Sequence, residues 1–166
     1  MRGLSLVATV IFLAACTTSA QNRDDFKKTI QSYPSLSVTG SHASSRRFED
    51  VVATLERKWK ECYSVQRTTT RTQGGMTTMN YKDTFHPRVR RVNGSLVEMT
   101  LQVTTQGMIM LSKVPEGGDY VVALDIERAP GNKAKLTWYS ASLGGWKAAW
   151  ERHKQWSDGK DVACDA

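Results

Sequence analysis

The strongest periodic pattern in the chain lies between Phe48 and Cys62, where apolar side chains recur every three or four positions. Charged residues fill the positions between them, so the apolar side chains form one stripe along a helix of 3.6 residues per turn. We expect Ser44 or Ser45 to cap this helix at its N-terminus. The pattern predicts an amphipathic helix that lies on a sheet. Its buried stripe is Phe48, Val51, Val52, Leu55, Trp59 and Cys62.

Between Tyr63 and Ala141 the period changes to two, which is typical of strands with one buried face. Turn-forming residues interrupt this region at the spacing of an antiparallel meander of about five to six strands. The turns are expected at Gln73-Gly74-Gly75, Asn93-Gly94, Gln106-Gly107, Glu116-Gly117-Gly118-Asp119 and Pro130-Gly131-Asn132.

The alternation assigns individual strands. The buried faces of two of them are Val97, Met99, Leu101 and Val103, and Tyr120, Val122, Leu124 and Ile126. The segment 65–72 has little apolar material and several Arg and Thr residues, which predicts an edge strand exposed to solvent. A short strand over Leu36–Thr39, ending at Gly40, is expected before the first long helix.

A second amphipathic helix is predicted after Gly144-Gly145, ending before Gly159. Its buried side is Trp146, Ala149, Trp150 and His153. The order of elements predicts an α+β fold, in which an antiparallel sheet has one helix before the meander and one after it, both on one face. This order resembles that of helix-grip folds and, more loosely, of TATA-binding-protein-like folds. The resemblance concerns element order and assigns no role to any residue.

The first residues predict where the protein is located. Met1-Arg2-Gly3 is followed by an apolar run from Leu4 that is too short to span about 30 Å of hydrocarbon, so it indicates a cleaved export signal. The run closes on Leu13-Ala14-Ala15-Cys16, which closely resembles the lipobox of bacterial lipoproteins. An ordinary secretory peptide with a chance cysteine is the alternative.

The lipoprotein resemblance implies thioether lipidation of Cys16, cleavage after Ala15 and acylation of the new amino terminus with chains such as palmitate. Several acyl chains would anchor the protein stably in a membrane. Thr17 follows the cysteine, whereas an aspartate there favours inner-membrane retention in enteric-type sorting. In a Gram-negative cell the resemblance therefore implies the inner leaflet of the outer membrane, facing the periplasm.

This interpretation divides the chain into three parts. Residues 1–15 are the signal peptide, residues 16–35 are the lipidated N-terminus and a short tether, and residues 36–166 are a single domain. Phe26, Ile30 and Tyr33 lie at helical spacing within the tether region, so a short helix is expected there.

Cys62 and Cys164 remain once Cys16 is assigned to lipid, and an exported domain favours their pairing in a disulfide. The bond would close a loop of about a hundred residues. A metal site or a reactive thiol is the alternative, but no CxxC or His-rich spacing surrounds either cysteine.

The composition is that of a folded domain, with 40% hydrophobic and 23% charged residues. The net charge of +7 falls to +6 when Arg2 is removed with the leader. Nucleic acid is the usual partner of a basic domain, but an exported protein meets little of it. Anionic lipid head groups, lipopolysaccharide or an acidic envelope protein fit better, and scattered solvated charges explain the same balance without any partner.

Catalytic and metal-binding signals are thin. His42, His86 and His153 are far apart in sequence and have no accompanying motif, so the sequence predicts no catalytic residue, no cofactor and no enzyme. Three aspartates near the C-terminus, Asp158, Asp161 and Asp165, lack the spacing of a calcium loop. No metal is expected.

Arg88, Arg90 and Arg91 are the best candidates for binding an anion on a partner. In an extended strand Arg88 and Arg90 share one face while Arg91 points away. A paired guanidinium face suits a phosphate or carboxylate cluster. Simple solvated strand charges are the alternative.

Tryptophans cluster near the C-terminus. Trp138, Trp146 and Trp150 are expected to fill the space between the sheet and the last helix. If that space is loosely filled, the same three residues would line a pocket for an apolar ligand. Trp156 lies off the main stripe and could instead be an exposed anchor at a protein interface.

Three functions remain open on this sequence. The first is a non-enzymatic interaction module on a membrane-anchored envelope lipoprotein. The second is a carrier or sensor of a lipid-like ligand held between the sheet and the last helix. The third is an inhibitor or immunity protein against an envelope-active enzyme.

Overall fold

One antiparallel sheet organises the chain in a computed structural model, which describes residues 19–73, 77–107, 114–142 and 145–164. Its strands are β1 (Ser37–Arg47), β2 (Gln66–Gln73), β3 (Thr77–Asn93), β4 (Leu96–Gln106), β5 (Asp119–Ala129) and β6 (Lys133–Ala141). The α-helices are α1 (Arg23–Ser32), α2 (Phe48–Tyr63) and α3 (Trp146–Ser157). The strand order is β1-β6-β5-β4-β3-β2, and every neighbouring pair is antiparallel. The predicted α+β class is therefore confirmed, with β2 at an edge.

Helices α2 and α3 cover one face of the sheet, which we call the core face. The whole predicted stripe of α2 is buried there, from Phe48 at 1% exposure to Cys62 at 8%. Alternate residues of β4 and β5 meet it from the sheet, including Met99 and Leu124 at 0%. Burial of large apolar side chains at this density provides most of the driving force for folding.

The start of α2 differs from the prediction. Strand β1 continues to Arg47, which is the N-cap residue and forms no side-chain cap hydrogen bond. Neither Ser44 nor Ser45 caps the helix, because both lie within β1. The buried Ser44 hydroxyl instead donates to the carbonyl of Ser157 at 2.7 Å, which ties β1 to the end of α3.

Gly40 does not end β1 but lies in its middle, paired with Trp138. A Cβ atom at this position would lie 2.5 Å from Nε1 of Trp150. The strand thus needs a residue without a side chain so that the indole of α3 can pack against its backbone. The glycine marks a close approach between layers rather than a break.

Helix α1 lies on the opposite face, which we call the open face. Phe26 and Ile30 pack there against Ala123 and Tyr139 in a second apolar cluster, and Asn22 caps the helix by accepting from the Asp25 amide at 2.9 Å. The predicted short helix is present, but it is packed on the sheet. Its apolar side chains contact the sheet directly.

A bulge in the pairing of β4 with β5 changes the orientation of one predicted core residue. The register shifts between Leu101 and Gln102, so that Leu101 pairs with Val122 but Gln102 pairs with Tyr120. Tyr120 therefore lies on the open face, where its ring stacks on that of Phe26 with centroids 6.0 Å apart. The prediction that Tyr120 shares the core face with Val122 is wrong for this reason.

The predicted disulfide is present between Cys62 and Cys164, whose Cα atoms are 5.3 Å apart. It joins the last turn of α2 to the segment that follows α3. None of the described helices is both long enough and apolar enough to cross a membrane. The predicted signal peptide, Cys16, Gly74-Gly75, Gly144 and Asp165 lie outside the described residues.

Candidate anion-binding cleft on the open face

A polar cleft of about 340 Å³ lies on the open face, between the N-terminus of α1 and strands β3, β4 and β5. We call it the open-face cleft. Its charged and polar walls include Arg23, Arg88, Arg90, Glu98, Thr100 and Gln102. Two of the three arginines that the sequence singles out, Arg88 and Arg90, therefore meet in one cavity.

Arg23 attaches α1 to the sheet at the inner wall of this cleft. Its guanidinium donates to the carbonyl of Leu124 at 3.1 Å and to the carboxylate of Asp125, and it lies 3.4 Å from Glu98. Lys27 contacts the second oxygen of Asp125 at 2.6 Å. Only 11% of the Arg23 side chain is exposed. Its charge is therefore compensated within the fold, and sequence reasoning missed it because nothing local marks a residue paired a hundred positions away.

Arg90 is also compensated. It lies opposite Glu98 in the β3–β4 register and donates two hydrogen bonds to one Glu98 oxygen, at 3.0 Å from Nε and 2.5 Å from Nη2. These bonds raise the pKa of Arg90 above its ordinary value. The side chain of Arg90 is 72% exposed, so the pair forms the outer rim of the cleft.

Arg88 differs from its neighbours. It lies opposite Thr100, and within the described part of the chain neither side chain has a hydrogen-bond or ion-pair partner. A Cβ atom at Gly117 would come within 2.5 Å of Nη2 of Arg88. The guanidinium therefore lies beside a backbone that has no side chain, and its charge forms no ion pair with a described residue.

The backbone beside Arg88 is fixed by Gln102, a polar residue that is only 1% exposed. Its amide donates to the carbonyls of Glu116 at 3.0 Å and Gly118 at 2.9 Å. Both bonds hold the turn between them in place, so the buried amide has its donors satisfied. The turn predicted at residues 116–119 thus supports the wall against which Arg88 packs.

Arg91 lies on the other face of β3. It pairs with Glu49 and Glu56 of α2, each at 3.2 Å. The structure has Arg88 and Arg90 on the open face and Arg91 on the core face, as predicted. Arg91 takes no part in the open-face cleft, and its charge is compensated by two carboxylates.

The predicted tryptophan seam is filled. Trp138 is 0% exposed and Trp150 is 6% exposed, and their rings stack with centroids 5.7 Å apart. Trp146 is only partly buried at the start of α3. The alternative in which Trp156 is an exposed anchor is wrong, since Trp156 is 0% exposed and its indole donates to the carbonyl of Val162 at 2.9 Å. The chain after α3 folds back over this ring, which the helical period could not reveal.

The three histidines occupy separate sites. His153 is fully buried between Trp59, Trp138 and Trp156, with ring centroids 4.7–5.2 Å away. Its Nδ1 lies 2.6 Å from the carbonyl of Ala149, so the neutral ring donates there. Burial lowers the pKa of His153 to about 3.

The other candidates for catalysis or metal binding are engaged elsewhere. His42 contacts Asp158 at 3.0 Å and His86 contacts Thr104 at 3.0 Å. Asp161 pairs with Lys58 at 2.6 Å, and this contact lowers the pKa of Asp161. Among the residues that the structure describes, no three His, Cys, Asp or Glu side chains are grouped so that they could hold a metal ion.

These features define an α+β domain that is closed by a disulfide and carries a charged cleft on the open face of its sheet. No protein-family model matches the chain, and no curated protein shows significant sequence similarity to it.

Proposed function

We propose that this protein is a lipid-anchored component of the bacterial cell envelope whose domain binds an acidic protein partner without catalysing a reaction. The lipobox-like sequence ending at Cys16 supports the anchor. The Cys62–Cys164 disulfide supports an oxidising compartment, because such bonds persist after export. On this proposal the domain faces the periplasm from the inner leaflet of an outer membrane.

The observation that carries the binding role is the uncompensated charge of Arg88 in the open-face cleft. Arg23 and Arg90 are paired with carboxylates of the same domain, whereas Arg88 has no partner among the described residues. A positive group held in a concave site suits an anion on a second molecule. In an exported protein, an acidic protein surface is the partner that this charge favours over nucleic acid.

A groove beside Trp146 favours a second candidate function, that of a carrier of an apolar ligand. It has a volume of about 260 Å³ and is lined in part by Phe85, Val103 and Val121. The groove lies at the end of the filled tryptophan seam rather than within it. Because its volume lies below the range usual for ligand pockets, we rank this function below partner binding.

Crosslinking of the native lipoprotein in its own cells tests the proposal. The Arg88→Ser/Arg90→Ser variant should crosslink less to the acidic partner, and the loss should shrink at high salt because the attraction is screened. Arg91→Ser is the matched control, since Arg91 faces α2 on the other side of β3. An equal loss in both variants would contradict the assigned surface.

The anchor needs its own test. Cys16→Ala should abolish labelling by a radioactive or clickable fatty acid and leave an uncleaved precursor, because processing requires the thiol. Label that survives the substitution would refute lipidation at this residue.

A further inference from the structure

We propose that the open-face cleft is a site for one carboxylate group, presented by a glutamate or aspartate side chain of a partner polypeptide. The inference rests on the proposed function, since it names the chemical group by which the partner is held. It also makes a claim about isolated ligands that can be tested when no partner is known.

The charges in the cleft select a group with one negative charge. Arg23, Arg88 and Arg90 line it together with Asp24 and Glu98. Glu98 neutralises Arg90 and lies 3.4 Å from Arg23, which forms its other ion pair with Asp125. Arg88 forms no ion pair with any residue that the structure describes. A carboxylate would neutralise it, whereas a doubly charged phosphate would bring excess negative charge beside Asp24 and Glu98.

The donors that would receive the carboxylate lie side by side. Arg88 on β3 and Thr100 on β4 are directly opposite in the sheet register. Their side chains therefore extend from the same face of the sheet and are close enough to contact one ligand. A guanidinium binds both oxygens of a carboxylate through parallel N–H groups, and the Thr100 hydroxyl supplies a further donor.

The turn beside the Arg88 guanidinium is held in place by a buried amide. Gly117 lies beside the guanidinium of Arg88, and Gln102 holds the adjacent turn by two hydrogen bonds. The Arg88 side chain is exposed, so its guanidinium is accessible to a ligand on this side of the cleft.

The size and lining of the cleft suit an amino-acid side chain. About 340 Å³ is ample for a glutamate, and the ring of Tyr120 forms an apolar wall for its methylene groups. Tyr120 is itself held by stacking on Phe26 of α1. The bulge in β5 therefore places an aromatic ring in the same cleft as Arg88.

The experiment uses the ¹⁵N-labelled protein purified from cells in detergent, titrated with N-acetylglutamate N-methylamide and followed by NMR. We expect saturable shifts at Arg88 and Thr100. The glutamine counterpart, equal in shape but uncharged, should bind at least about tenfold more weakly. Inorganic phosphate should bind more weakly than the glutamate probe.

Arg88→Gln should remove this binding while the amide spectrum elsewhere shows that the fold is retained. Lys82→Gln is the matched control, because Lys82 is an exposed cation of the same strand outside the cleft. It should leave binding unchanged. Equal binding of the glutamate and glutamine probes, tighter binding of phosphate, or equal losses in the two variants would overturn the carboxylate assignment.

The two proposals fail in different ways. If the probe does not bind Arg88 but the partner is still captured through the arginine surface, the carboxylate site is wrong and the interaction module stands. If the probe binds as expected but the arginine variants capture as much partner as the wild type, the proposed function is wrong and the site stands.

Discussion

On the core face of the sheet, α2 and α3 bury Trp59, Trp138 and Trp156 to 1% exposure or less. On the open face, α1 covers only part of the sheet and leaves a polar cleft beside it. One strand, β4, contributes to both, with Met99 in the core and Thr100 in the cleft. Because side chains alternate between the two faces of a strand, a residue that stabilises the core is followed directly by one that lines the cleft.

The comparison separates two kinds of energetic role. A large apolar side chain in a filled core contributes through its burial and leaves a cavity when it is removed. An exposed charge contributes little to folding but a great deal to recognition. Core-face variants should therefore lose stability, and open-face variants should keep stability and lose binding.

The largest effect is expected for the disulfide that ties the helices of the core face to the C-terminus. Replacing both Cys62 and Cys164 with Ser opens a link across 102 residues, which costs about 4–5 kcal/mol on the chain-entropy estimate. Urea unfolding of oxidised wild type, reduced wild type and the double variant measures it. Reduced wild type and the double variant should have the same free energy of unfolding. A double variant as stable as the oxidised wild type would contradict the prediction.

Trp138→Ala should lower the free energy of unfolding by about 3–5 kcal/mol. The side chain is fully buried, and the sheet and helices around it cannot move together enough to fill the cavity. Trp146→Ala is the matched control within the same seam. It should cost clearly less, since Trp146 is only partly buried at the start of α3. Equal losses in urea unfolding would mean that the seam is not packed as the structure has it.

A pH dependence follows from His153. Its folded pKa of about 3 lies below its ordinary value of about 6.5, so the unfolded chain binds more protons between those values. The contribution of His153 to the free energy of unfolding should be fully present above about pH 6.5. It should be lost as the pH drops towards 3, by up to about 1.4 kcal/mol per pH unit.

His153→Phe should flatten this dependence, because the replacement is aromatic and does not titrate. Urea midpoints between pH 6.5 and pH 4 test it, with His86→Gln on the open face as the control for losing an imidazole. Parallel pH profiles for wild type and His153→Phe would show that His153 is not the group responsible.

Much of this fold could be predicted because its main signals are local and periodic. The stripe of α2, the helix at Trp146–Ser157 and the alternation in β4 each follow from positions a few residues apart. The disulfide prediction rests on the expected export of the chain and on the two cysteines that remain if Cys16 carries lipid.

The errors come from contacts between distant segments. Gly40 resembles a strand end unless Trp150 is known to pack on it, and Trp156 resembles an exposed residue unless the chain near Val162 covers it. The cleft shows the same limit. The sequence identified Arg88 and Arg90. The position of Arg23 in the cleft, and that of the turn at Gly117 held by Gln102, depend on contacts that form only when the sheet is assembled.

The smallest effect on folding is expected at the open-face cleft. Arg88→Ser/Arg90→Ser should leave the melting temperature nearly unchanged, because Arg88 forms no ion pair with a described residue and Arg90 is largely exposed. Glu98, which loses Arg90, keeps Arg23 at 3.4 Å. Thermal unfolding followed by circular dichroism measures this. A drop in melting temperature as large as that of Trp138→Ala would show that the two arginines support the fold, and the division between the two faces would then be wrong.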